Sequence, residues 1–191
     1  MSMKPIAVAT CLMLTACAGA GGYAYAPQVR TYPAYEPSDL AYAAGGGEMR
    51  TEIVGNPFGG VQGDFDAAVT SAMYGAHFGP AVTFSTAPGP QARQIHTLRL
   101  IFNGATAASG YSICDGDLAN VPPRQVTGNV QVLAAFCRGT KPLSYVSART
   151  SGIGAADDPA FTTFMRQVAV LLFPPQNRDG RNRGCVPPGD C

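Results

Sequence analysis

Two periodicities alternate along the middle of the chain. Met49-Arg50-Thr51-Glu52-Ile53-Val54 alternates apolar with polar positions, the spacing of a half-buried strand. Gly55-Asn56-Pro57 ends it, and Phe58-Gly59-Gly60 continues as a turn. From Asp64 to Ala76 the period changes. Phe65, Ala68, Val69, Ala72, Met73 and Ala76 recur three and four apart, the apolar stripe of an amphipathic helix. Asp64 is its expected N-cap, because a carboxylate there accepts free first-turn amides. Gly75 and Gly79 mark where it weakens and stops.

Val82 to Ser85 reads as a short strand. Thr97 to Phe102 reads as a firmer one, with Leu98, Leu100 and Phe102 on one face and Asn103-Gly104 turning it. Tyr111-Ser112-Ile113-Cys114 predicts another short strand, ended by Asp115-Gly116, and Val121-Pro122-Pro123 a loop. Asn129 to Arg138 is apolar on both faces: Val130, Val132, Ala134 and Phe136 on one, Leu133, Ala135 and Cys137 on the other. Such a strand belongs in the middle of a sheet. Arg138 to Pro142 reads as a hairpin loop. Leu143 to Arg149 returns, with Leu143 and Tyr145 expected on one face and Val146 and Ala148 on the other. A second helix runs from Pro159 to Phe173, with Asp158 as cap and Pro159 in its first turn. Phe161, Phe164, Met165, Val168, Leu171 and Leu172 form its stripe, and Pro174-Pro175 stops it. This order predicts an α+β domain over residues 48–176. The expected form is a two-layer sandwich, a mainly antiparallel sheet with two helices on one face.

Composition changes the picture at the two ends. From Ala18 to Gly47 there is no period, five of the eight tyrosines and none of the nine phenylalanines. Residues 17–47 therefore read as a Tyr/Ala/Pro/Gly-rich tether. Residues 177–191 read as a polar tail with a small cysteine loop. Residues 1–16 have the layout of a secretory signal: Lys4, then an apolar run from Pro5 to Ala16, shorter than the ~20 residues needed to cross a bilayer.

Leu14-Thr15-Ala16-Cys17 at the end of that run resembles the lipobox of bacterial lipoproteins. The resemblance implies a cleaved signal peptide and a mature chain starting at Cys17, lipidated there (palmitate class) with three acyl chains in all. At ~0.8 kcal/mol per buried methylene, three chains hold a protein on a membrane essentially permanently. Ala18, rather than Asp, follows Cys17, which resembles the outer-membrane class. The expected place is the bacterial cell envelope, lipid-anchored on the outer membrane and facing the periplasm.

Charge and cysteines narrow the chemistry. Charged residues are 13% of the chain, about half the usual share, and the formal net charge is +1. That balance gives no electrostatic footprint for nucleic acid. Once Cys11 leaves with the leader and Cys17 carries lipid, Cys114, Cys137, Cys185 and Cys191 remain in an oxidising compartment. Four cysteines allow three pairings. The expected ones are Cys114–Cys137 and Cys185–Cys191, as disulfides rather than metal ligands, because paired short spacings with nearby His are missing.

Candidate catalytic groups are sparse. His77 and His96 are the two histidines, and no Gly-x-Ser-x-Gly elbow accompanies them. Gly152-Ile153-Gly154-Ala155-Ala156-Asp157 sits where a phosphate loop would, but Asp157 and Asp158 occupy the place an anion needs. Cys114-Asp115-Gly116-Asp117 offers oxygen ligands without the rest of a calcium loop. Arg138 and Lys141 with Arg178, Arg181 and Arg183 read as solvated turns. The function expected is therefore a non-catalytic envelope lipoprotein without cofactor or metal, binding or positioning an envelope protein or cell-wall component. Two alternatives stand beside it. One is a lipid-anchored hydrolase or cell-wall-modifying enzyme using His77 or His96; the other is a small-ligand binding module.

Overall fold

A computed structural model describes residues 25–45, 47–104, 109–116 and 128–177. The elements run β1 (Tyr25–Thr31), α1 (Asp39–Ala44), β2 (Glu48–Val54), α2 (Gln62–Met73), β3 (Thr83–Ser85), β4 (His96–Phe102), α3 (Gly110–Asp115), β5 (Asn129–Arg138), β6 (Lys141–Ser151) and α4 (Pro159–Leu172). The leader, Cys17, Cys185, Cys191 and Arg178 to Arg183 lie outside the described residues, as does the loop at 121–123. Among the described residues, no helix is long and apolar enough to cross a membrane.

The six strands form one sheet in the order β1-β6-β5-β4-β2-β3. β1 with β6, β6 with β5, and β5 with β4 are antiparallel; β4 with β2, and β2 with β3, are parallel. The sheet is thus mixed, where the sequence predicts a mainly antiparallel one. A two-residue turn, Gly139-Thr140, can only join antiparallel neighbours, whereas α2 gives the chain a crossover long enough to lay β3 parallel to β2. Which strand lies beside which is not written in their sequence order.

β5 takes the central place its two apolar faces predict, between β4 and β6. Val130, Val132, Ala134 and Phe136 belong to a large buried cluster that also holds Leu98, Leu100 and Phe102 of β4. Phe65, Val69 and Met73 of α2 and Phe161, Met165, Val168 and Leu172 of α4 complete it. Its aromatic rings meet edge to face, Phe65 on Phe102 at 4.8 Å and Phe136 on Phe173 at 5.3 Å between centroids. Leu133, Ala135 and Cys137, the alternate positions of β5, belong to a smaller cluster with Ile101, Tyr145, Tyr32 and the α3 residues Ile113 and Cys114.

Several local expectations are corrected. Residues 111–114 are helical, not a strand. Ser109 and Ser112 cap each other, the Ser109 amide donating to Ser112 Oγ (2.8 Å) and the Ser112 amide to Ser109 Oγ (3.3 Å). Asp64 lies in the first turn of α2, not at its N-cap; that position is Val61, which has no capping side chain. Asp158 does cap α4, its Oδ1 accepting from the Ala160 amide at 2.8 Å. Leu143 packs with Val146 and Ala148 rather than with Tyr145. The β5–β6 register slips between Phe136 and Cys137, and one extra residue reverses the alternation beyond it.

The largest correction concerns the expected tether. Residues 25–31 form β1, and residues 39–44 form α1, with Leu40, Ala43 and Ala44 buried. Tyrosine does here what phenylalanine does elsewhere, burying a ring while its hydroxyl finds a partner. The Tyr35 hydroxyl donates to the Pro174 carbonyl at 2.7 Å, and the Asn177 amide donates to the carbonyls of Tyr32 (2.9 Å) and Tyr35 (3.0 Å). A few widely spaced anchors hold the segment, so it needs no period.

Candidate functional site

The two histidines do not assemble a reaction centre. His77 is buried, its ring edge-on to Phe84 (5.7 Å) and Phe173 (5.9 Å), and its Nδ1 lies 3.2 Å from the Phe78 carbonyl. His96 is only 2% exposed and sits between Tyr42 and Phe136, with no hydrogen-bond partner at either ring nitrogen among the described residues. Burial pushes its pKa down, Arg138 and Arg93 add to that, and Asp39 opposes it. Among the described residues neither ring hydrogen-bonds a carboxylate, hydroxyl or thiol.

The other sequence candidates resolve into architecture where they are described. Cys114 and Cys137 are joined as a disulfide, with Cα atoms 5.6 Å apart. Arg99 Nη1 donates to the carbonyls of Ile113 (2.9 Å), Cys114 (3.0 Å) and Gly116 (3.1 Å), closing the C-terminal end of α3. Glu52 meets Arg99 Nε at 2.9 Å. Among the described residues, no three His, Cys, Asp or Glu side chains cluster as a metal site would need. Asp158, following the glycine-containing segment at 152–157, is occupied as the α4 cap.

Among the described residues, no strand pairs with the outer edge of β1. The Tyr32 amide donates to the Leu143 carbonyl at 2.9 Å. Antiparallel strands alternate inward- and outward-facing backbone groups. Gln28 and Arg30, opposite Ser147 and Tyr145, therefore face β6, and the N–H and C=O of Val29 face away from the sheet. Seven residues long, β1 is the longer of the two edges; β3 at the other has three. Side chains alternate too. Val29 and Thr31 fall on the α4 side, while Gln28, Arg30 and Tyr32 fall on the α3 side.

The two sides of this edge differ in chemistry. On the α4 side an open groove of about 570 Å³ runs between Pro27 and the α4 residues Phe164, Val168, Val170 and Leu171. It shares Val170 and Leu171 with a hollow of about 290 Å³ that adds Val29, Phe78 and Pro174. Phe78 is 53% exposed, Val29 41% and Val170 39%, a cluster of large apolar side chains in water beside the β1 edge. On the α3 side a recess of about 510 Å³ is lined by Gln28, Arg30, Tyr32, Ser109, Gly110 and Tyr145. Gly110 lets the Tyr32 hydroxyl come close: a Cβ there would stand 2.5 Å from it. Burial raises the pKa of both Tyr32 and Tyr145 against the pull of Arg30, so both phenols stay protonated at neutral pH. Among the described residues, Arg30 and Arg166 are the charged ones lining the three hollows, and no Asp or Glu does.

None of these edge residues stood out in the sequence. The one trace is Gln28-Val29-Arg30-Thr31, a short polar-apolar alternation between Pro27 and Pro33. No family model, curated protein or solved structure matches the chain.

Proposed function

We propose that the chain is a lipid-anchored protein of the bacterial envelope that acts without catalysis, holding another envelope component on the β1 edge of its domain. The observation that carries this reading is that edge: an edge strand whose Val29 backbone groups face away from the sheet, with an apolar groove on one side and a cationic, phenol-lined recess on the other. Exposed edges are normally shortened, charged or covered, because they invite pairing with another chain. The lipobox supplies the anchor. With Cys17 lipidated, eight residue steps separate it from Tyr25, at most ~28 Å of extended chain. The edge thus works close to the membrane surface, on the outer membrane as the residue after Cys17 suggests. The layering that goes with this reading sets α2 and α4 together over one sheet face and leaves the β1 edge to the partner.

The groove also supports a second reading, a small-ligand module, since about 570 Å³ of largely apolar space is within the usual size of ligand sites. The hydrolase reading draws no support from the surroundings of His77 and His96.

The test is a photocrosslinking residue in place of Val29 in the full lipidated chain, activated in native membranes, with a Cys17→Ser control. A discrete protein or glycan adduct that needs Cys17 supports the reading. No adduct from an anchored, folded chain overturns it and moves weight to the ligand module. Mass analysis of the mature N-terminal peptide tests the anchor itself.

A further inference from the structure

Resting on the proposed partner-binding role, we propose that the occupant of the β1 edge is an extended segment of another envelope protein whose apolar side chains alternate with acidic ones. A strand added to β1 pairs with the outward N–H and C=O of Val29, and its successive side chains fall on opposite faces of the sheet. One set lands on the α4 side, beside Val29, Phe78, Val170 and Leu171, where an aliphatic side chain buries apolar surface on both partners. The alternate set lands on the α3 side, beside Arg30 and the Tyr32 hydroxyl, which supply a cation and a hydrogen-bonding group. Among the described residues no carboxylate is ion-paired with Arg30. An acidic side chain from outside supplies that counter-charge.

Charge also decides against two occupants within the same protein. A second copy pairing through β1 brings a second Arg30 to the edge, like charge against like. The chain's own segment after Asn177 carries Arg178, Arg181 and Arg183 against Asp179 and Asp190, so it is basic, not acidic. Pro27 at the start of the edge limits pairing to the residues after it. The complex is accordingly a short, exchangeable one rather than a permanent extension of the sheet.

The experiment uses the full mature chain in detergent and blocked nine-residue peptides, with binding read by fluorescence anisotropy. One peptide alternates Val with Glu, one alternates Val with Lys, and one has the first composition with the alternation scrambled. The Val/Glu peptide is expected to bind at least tenfold more tightly than either control, and its affinity to fall as salt rises. Arg30→Glu should invert the preference between the Glu and Lys peptides. N-methylating alternate amides of the Val/Glu peptide should abolish binding, a result that does not depend on any protein variant folding.

Equal binding of the Glu and Lys peptides, or of the scrambled one, would overturn the proposal. So would a concentration-dependent dimer lost in Arg30→Glu, which assigns the edge to a second copy. A tenfold gain in peptide affinity on removing residues 178–191 would overturn it too, by assigning the edge to the chain's own tail. If the peptides fail while crosslinking at Val29 still yields an anchor-dependent adduct, the occupant's chemistry is wrong and the binding role stands. If both fail, the binding role falls with it.

Discussion

The two sides of the sheet are held by different physics. On one side, thirty of the described residues form one continuous cluster, to which α2 (twelve residues) and α4 (fourteen) contribute. On the side of α3 the cluster has eight, and the helix has six. A six-residue helix is far too short to be stable on its own propensity. It is fastened by specific devices instead: the Cys114–Cys137 disulfide, the reciprocal Ser109–Ser112 cap, and Arg99 reaching three of its terminal carbonyls. Apolar area organises the first side. Single bonds organise the second, which is also the side that builds the polar recess beside β1.

This contrast breaks if the wrong perturbation proves expensive. The largest effect should come from Phe161→Ala, which empties a fully buried ring site beside Phe58, Phe65 and Phe102. Phe-to-Ala truncations in such cores cost about 3–5 kcal/mol. Urea unfolding should show that loss as a shifted midpoint for the whole domain.

Breaking the disulfide by Cys114→Ala with Cys137→Ala should cost about 3 kcal/mol, the entropy of the loop it closes. Hydrogen exchange should speed up first at α3 and residues 109–116. Uniform acceleration over the domain would show that α3 is not held separately from the main core.

Arg99→Met removes the charged donor from three carbonyls and should cost about 2 kcal/mol. Glu52→Gln should cost less than about 0.5 kcal/mol, because the Glu52 side chain is 40% exposed and water screens its pair with Arg99. An equal cost for the two substitutions would mean the ion pair, not the carbonyl cap, fastens α3.

A pH dependence should arise in the large cluster as well. His96 is held neutral by burial, its folded pKa below 6.5. As pH falls through about 6.5 the unfolded chain binds a proton first, so the His96 contribution is complete above that pH. It is lost progressively as pH drops toward the folded value, with a slope of at most about 1.4 kcal/mol per pH unit. Thermal midpoints between pH 7 and 5 should fall, and His96→Phe should flatten that fall. An unchanged slope in the variant would place the titrating group elsewhere.

Legibility in the sequence follows that division only in part, since Tyr35, Leu40, Ala43 and Ala44 of the unread segment belong to the large cluster. Where area does the organising, the pattern is repetitive and can be read. The two-faced run at 129–138 located the central strand, the stripe from Phe161 to Leu172 located α4, and Asp158-Pro159 located its start. The Cys114–Cys137 pair was expected as well. Where single contacts organise, there is no repeat to read. Tyr-Ser-Ile-Cys at 111–114 fits a strand by residue preference, and Ser109, Arg99 and Cys137 turn it into a helix. Residues 25–44 look like a spacer because their burial rests on Tyr32, Tyr35, Leu40, Ala43 and Ala44 meeting partners far along the chain.

The sequence by itself determined most local elements of the large core, α1 excepted, because side-chain period and capping chemistry act over a few residues. The proposed lipid anchor at Cys17 rests on a purely local resemblance. Only the tertiary structure decided the strand order, the parallel placement of β2 beside β4 and β3, and the recruitment of residues 25–44 into the fold. It alone put β1 at an edge of the sheet. Strand pairing and edge position depend on which distant segments meet, and one strand's own pattern does not encode its neighbour.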